Sequence, residues 1–99
     1  MLLIAGKMTF DPAHTDALRE AAATAMAATL QEDGCQEYNL AISCGDEGTL
    51  RIFEIWDSAD HLAAHLETPH MAEYRAAMAN FGISGRELTR YEVSDSQPL

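Results

Sequence analysis

The most constraining feature of this chain is the segment Thr49 to Trp56, whose large apolar side chains fall on both faces of a strand. Leu50, Ile52, Glu54 and Trp56 share one face, and Phe53 and Ile55 share the other. Successive strand side chains point to opposite faces, so a sheet built around this segment must be covered twice. With 99 residues, the chain forms one small domain burying about 65% of the surface its unfolded form exposes. One layer of helices can cover one face, and the other needs a partner.

The remaining segments supply that layer. Leu2 to Phe10 reads as a strand, with Ile4, Met8 and Phe10 on one face and Leu3, Ala5 and Thr9 on the other. Asp11-Pro12 stops it and opens a helix, Asp as a cap and Pro in the first turn. That helix is expected to run to about Asp33, its buried stripe carrying Leu18, Ala22, Met26 and Leu30, with Gly34 as terminator. Cys35 to Cys44 alternates as a strand with Tyr38, Leu40 and Ile42 on one face, and Gly45-Asp46-Glu47-Gly48 signals a hairpin into Thr49 to Trp56. Asp57-Ser58 caps a short helix bearing His61, Leu62, His65 and Leu66; Thr68-Pro69 breaks it and opens another from roughly His70 to Asn80, ended by Gly82. Ile83 to Val93 has room for a last strand. The expected organisation is one domain over residues 1–94 and a polar tail over 95–99.

The order β-α-β-β-α-β is the split arrangement of an α+β, ferredoxin-like fold: a four-stranded antiparallel sheet with helices on one face. Its uncovered face, apolar by the argument above, must meet a partner subunit, a ligand or both, and a homodimer is the economical solution.

Charge limits the other partners. Sixteen Asp and Glu against six Lys and Arg give a net of −10, with no Lys/Arg cluster, which disfavours duplex nucleic acid and anionic lipid. Met1 to Ala5 is apolar but short, lacks a basic leader and is followed by Lys7, so it reads as a strand and not a signal peptide. No run approaches the length of a membrane span. A cytoplasmic protein is expected. Cys35 and Cys44 would stand about 30 Å apart in one extended strand, too far for a disulfide, which suits a reducing compartment.

Several residues are candidates for chemistry. His61 and His65, four apart on a helix, have a spacing that can place two imidazoles on one metal, although two polar positions sharing a face produce it too; no metal is expected, and His61 is the more solvated of the two. His65 and His70 bracket the Thr68-Pro69 break, where both rings can converge. Glu54, between Phe53 and Ile55, is expensive without a partner or a wet cavity, and an ion pair to Arg51 or to an arginine of a partner subunit would satisfy it. Trp56 offers a large packing surface and an indole N–H free to direct a ligand. Tyr38 and Tyr74 are amphipathic candidates for a pocket wall, and Asn39 is an ordinary sheet-face residue.

Read together, Asp33-Gly34-Cys35 with Tyr38, Phe53-Glu54-Ile55-Trp56, and His65-Leu66-Glu67-Thr68-Pro69-His70 resemble the antibiotic-biosynthesis monooxygenase-like family in order and spacing. The resemblance runs from the first strand through the last. It implies a ferredoxin-like subunit whose dimer closes two sheets into an α+β barrel. It also implies oxidation of an electron-rich, quinol- or anthrone-like aromatic by O2 without metal, flavin or other cofactor. In that chemistry a base ionises a substrate hydroxyl and the ring then reduces dioxygen. By position, His65 and Trp56 match residues lining the family's pocket and are the expected catalytic pair; Tyr38, Glu54 and His70 match its recurring motif and, with Tyr74, are expected to bind substrate. The haem-degrading branch places an Asn in the first strand, a Trp where His65 stands and a ligand His where Arg75 stands. None of these is present, which disfavours haem turnover.

An isomerase or lyase of a small polar metabolite and a non-catalytic dimeric binding module are the competing readings. An apolar, aromatic cavity around Trp56 would favour a ring substrate, and clustered arginines a phosphate. With Arg51 and Arg75 the arginines nearest these motifs, the ring is expected.

Overall fold

A computed structural model describes residues 1–99. Its elements are β1 (Leu2–Thr9), a 3-10 turn (Pro12–His14), α1 (Thr15–Thr29), β2 (Cys35–Ile42), β3 (Thr49–Trp56), α2 (Ala59–Leu66), α3 (Pro69–Met78) and β4 (Gly85–Glu92). The strands form one antiparallel sheet in the order β2-β3-β1-β4, the ferredoxin-like topology expected from the order of elements.

Register explains which side chains meet. Tyr38 pairs with Glu54, Glu54 with Ile4 and Ile4 with Arg90, so these four lie in one row across the sheet and share its helix-covered face. Leu50, Ile52, Glu54 and Trp56 are all buried on that face, whereas Phe53 and Ile55 on the other are only half-buried. The core between sheet and helices contains Leu2, Leu18, Leu50, Leu62 and Trp56. Leu3, Ala5, Phe53 and Ile55 stay partly open on the uncovered face, beside the exposed Tyr91.

Several element ends differ from expectation. Asp11 Oδ1 accepts from the Ala13 amide at 3.0 Å, as a cap should, but the first turn is 3-10 and α1 begins only at Thr15. The other end of α1 is Thr29, four residues before Asp33. There the amides of Gln31 and Glu32 turn to the carbonyls of Ala28 and Thr29, three residues back, tightening the backbone out of the α-helix. Gly34, at φ +80°, then reverses it into β2. β2 stops at Ile42, short of Cys44, and β4 occupies Gly85–Glu92 within the expected Ile83 to Val93. Ser58 and Thr68 cap α2 and α3, each accepting from the backbone amide three residues on, which sets the sharp turn between these helices. No helix is long and apolar enough to cross a membrane.

Candidate active site

The sheet, α2 and α3 form the walls of an open cavity of about 600 Å³. Ile4, Met8, Leu40, Ile52, Met71 and Met78 make it mostly apolar, and Tyr38, Glu54, His65 and Tyr74 supply polar atoms. It has the size and character of a small-molecule site, largely apolar with a few convergent polar groups.

His65 is 1% exposed and packs in the α2 wall against Trp56 and Tyr38, with ring centroids 4.7 and 5.2 Å away. Its Nδ1 lies 2.7 Å from Glu32 Oε2. A carboxylate only accepts, so His65 donates from Nδ1–H, and in its neutral form the ring carries its lone pair on Nε2. His70 Nε2 reaches the same oxygen at 2.8 Å. The break at Thr68-Pro69 therefore does bring the two rings together, with Glu32 between them. His70 itself lines not the main cavity but a shallow groove between α1 and α3.

Glu32 is the site residue that sequence reasoning missed, because the expected helix ran through it. The available signal was the Asp33-Gly34 terminator just downstream, which places Glu32 close to the end of the helix without fixing on which side of it. The ligand atoms of Glu32, His65 and His70 all lie within 4.8 Å of one another, and these residues could hold a metal ion. In this structure both rings hydrogen-bond the same Glu32 oxygen, and an ion would have to replace those two bonds. His61 is not part of the cluster; its Nδ1 contacts Ser58 Oγ at 2.7 Å and its Nε2 faces Asp33 at 3.6 Å.

Two expectations need correction. Glu54 makes no ion pair with Arg51, which sits three residues away on a strand and so faces the other side of the sheet. Glu54 Oε1 instead accepts from Trp56 Nε1–H at 2.9 Å. The same bond means that the indole N–H is not free to direct a ligand. Trp56 is fully buried behind Glu54 and His65 and does not line the cavity.

Burial governs the titration of this site. It pushes the Glu54 carboxyl up, an effect that the indole N–H and then His65 partly offset. Burial, then the Glu54 carboxylate, holds the Tyr38 phenol well above its ordinary value and pushes Tyr74 up to about 12. Both phenols therefore remain donors at neutral pH. Tyr38 spends its O–H on a long contact to Met71 Sδ at 3.9 Å, whereas the buried Tyr74 hydroxyl has no partner. That hydroxyl is closed to solvent, so a ligand in the cavity meets the ring of Tyr74 and not its O–H.

The sequence expectation placed only Arg51 and Arg75 near the site; Arg51 lies outside it. Arg86 and Arg90 line the cavity with Arg75. Their register on β4, opposite the inward-facing Met8 and Ile4, puts them there.

Fold and pocket together define a small ferredoxin-like protein with a largely apolar site for a small molecule. Residues 1–77 match the model of the antibiotic biosynthesis monooxygenase family, and the chain belongs to that family. It is 32% identical over 73 residues to "Probable quinol monooxygenase YgiN" of Escherichia coli K12, covering 66% of this chain and 70% of that protein. Among solved structures, Rv0793 from Mycobacterium tuberculosis superposes with a TM-score of 0.84 at 29% identity, over 98% of this chain and 97% of that one. A Deinococcus radiodurans protein assigned to the antibiotic biosynthesis monooxygenases reaches 0.90 at 25% identity, over 100% and 98%. Family and relatives together support a monooxygenase-like function.

Proposed function

We propose that the protein is a cofactor-independent monooxygenase that oxidises an electron-rich aromatic, quinol- or anthrone-like, with O2, as a cytoplasmic homodimer. The observation that carries this reading is the Glu32–His65 hydrogen bond at the wall of an apolar cavity. It leaves a buried imidazole with one nitrogen available to a substrate hydroxyl. The name of the E. coli relative supplies the substrate class. Two free thiols, Cys35 and Cys44, suit a reducing compartment.

In this mechanism His65 Nε2 takes a phenolic proton, and the Glu32 carboxylate holds the ring and stabilises the imidazolium that forms. The electron-rich ring carbon bonds to O2 and becomes a hydroperoxide after taking up a proton. Loss of the proton on that carbon breaks the O–O bond, releases water and leaves a carbonyl. A quinol and O2 thus give a hydroxyquinone and water, all electrons coming from the substrate. Tyr74, Tyr38 and Glu54 shape the walls that hold the substrate. Trp56 backs Glu54 and His65 instead of forming the ring wall, and His70 acts through Glu32.

The test is oxygen uptake by purified, chelator-treated protein across hydroquinones and anthrones. Turnover of at least one of them, reduced by about 10² to 10⁴ in a His65→Ala variant that circular dichroism shows to be folded at the assay temperature, is expected, with a lowered melting temperature from the cavity left by the buried ring. Uptake that needs an added metal or flavin, or that survives His65→Ala unchanged, would overturn the reading.

A further inference from the structure

The cavity has a chemical asymmetry that a neutral ring does not use. Its His65 end is aromatic and hydrogen-bonded, and its β4 side carries arginines. Arg86 and Arg90 flank Leu88 on the helix-covered face of β4, and Arg75 approaches from α3. Arg90 lies in the same sheet row as Glu54, two strands away, which is about 10 Å between backbones. A fused ring system with one hydroxyl at His65 therefore extends towards Arg90.

The chain has sixteen carboxylates, yet none lies within ion-pair distance of these arginines. By contrast Lys7 pairs with Glu87 and Arg19 with Asp16. Arg75 makes a single weak contact, Nη2 to the Leu66 carbonyl at 3.2 Å, which leaves most of its guanidinium donors unused. Half of the six cationic side chains of a protein of net charge −10 thus stand, solvent-exposed and without acidic partners, around the mouth of one cavity. A molecule with that overall charge repels anions, and a local set of unpaired guanidinium groups is the means of admitting one. Planar guanidinium groups match oxyacid oxygens in pairs, so carboxylate and phosphate are the groups they read best.

We propose that the cavity takes an aromatic substrate bearing an anionic oxyacid group, a carboxylate or a phosphate ester, which Arg75, Arg86 and Arg90 bind at the β4 side. The inference rests on the ring-substrate reading above and adds the charged group that selects among rings. The apolar lining holds the ring, and the arginines set its direction, turning the reacting hydroxyl to His65.

The experiment compares two diols that differ in one group, 1,4-dihydroxy-2-naphthoate and 2-methyl-1,4-naphthalenediol, by kcat/KM from oxygen uptake. The naphthoate should be preferred at low ionic strength, and the preference should shrink as salt is raised. In an Arg86→Gln/Arg90→Gln variant the ratio should fall by about tenfold to 100-fold, and in Arg75→Gln by less, since that side chain is partly engaged. Arg19→Gln, on the outer surface of α1, should leave the ratio alone.

A binding arm, calorimetry with unreactive 2-naphthoate, 2-naphthyl phosphate and neutral 2-naphthol, is independent of turnover. Both anions should bind more tightly than the naphthol, the difference should vanish in the double variant, and the tighter anion identifies the native group. Selective anion binding without oxygen uptake would leave the anion site standing and remove the monooxygenase reading. Equal binding of anion and naphthol would overturn the anion site whatever the activity. So would a double variant that loses its dimer while keeping anion affinity, because the arginines would then belong to a subunit contact.

Discussion

Two carboxylates in this chain meet opposite fates, and both are testable. Glu54 is buried in the sheet with one indole N–H for company, and burial raises its pKa. Below the ordinary carboxylate pKa it is neutral in the folded and unfolded chain alike. As pH rises, the unfolded chain ionises first, and the folded state loses stability until Glu54 ionises in its raised range. A Glu54→Gln variant keeps an acceptor for Trp56 and lacks this loss. Its melting temperature should match the parent below the ordinary carboxylate range, exceed it by a growing margin as pH rises above that range, and hold a constant margin once Glu54 ionises in the folded parent. An offset that is the same at every pH would show that ionisation is not the cause. Glu32 instead works through His65 and His70. Glu32→Ala should lower kcat for an active quinol by about tenfold to 100-fold with little change in KM, since Glu32 orients the base without touching the ring, and should lower the melting temperature because the buried His65 Nδ1–H loses its acceptor. An unchanged kcat would separate Glu32 from the chemistry. The sequence displayed both acids in plain view, but only Glu54, flanked by Phe53 and Ile55, announced its burial.

At the level of elements, the turn from α1 to β2 carries the site residue that periodicity could not locate. Apolar spacing placed α1 correctly and said little about its end, because Leu30 continues the four-residue stripe although it is C-cap and half-exposed. Backbone conformation decides that end. Gly34 adopts φ +80°, its carbonyl accepts from the Asp57 amide at 2.8 Å, and a Cβ there would run into the His61 ring. Gly34→Ala should therefore destabilise the protein by about 1–2 kcal/mol from the left-handed backbone alone, more if His61 cannot move. It should also reduce quinol turnover, since the displaced turn holds Glu32. Urea titration and oxygen uptake measure the two effects; a variant as stable as the parent would show that the turn relaxes freely.

For the whole molecule, the question is what covers the second sheet face. Leu3, Ala5, Phe53 and Ile55 are packed by nothing within the chain on that side, and Tyr91 is 49% exposed beside them. A homodimer burying at least about 1,200 to 2,000 Å² through this face would remove that surface from water. Sedimentation should show a dimer at micromolar concentration, and Ile55→Glu should shift it to monomer by placing an unpaired charge in the interface. A stable parent monomer at that concentration would count against the dimer.

The amino-acid sequence determined the element order, the two-sided strand β3 and the shared faces of Tyr38 and Glu54 with their apolar neighbours, because these depend on local periodicity and on turn residues close in the chain. The family followed from short motifs with fixed spacing. Only the tertiary structure decided what those residues face. Strand register brought Arg86 and Arg90 into the cavity from a strand about thirty residues beyond Glu54. The early end of α1 placed Glu32 against two histidines more than thirty positions away. Burial turned the Trp56 N–H inward to Glu54. Hydrogen bonds and charge pairing depend on separations of a few ångströms across the fold, and local sequence pattern contains no measure of that distance.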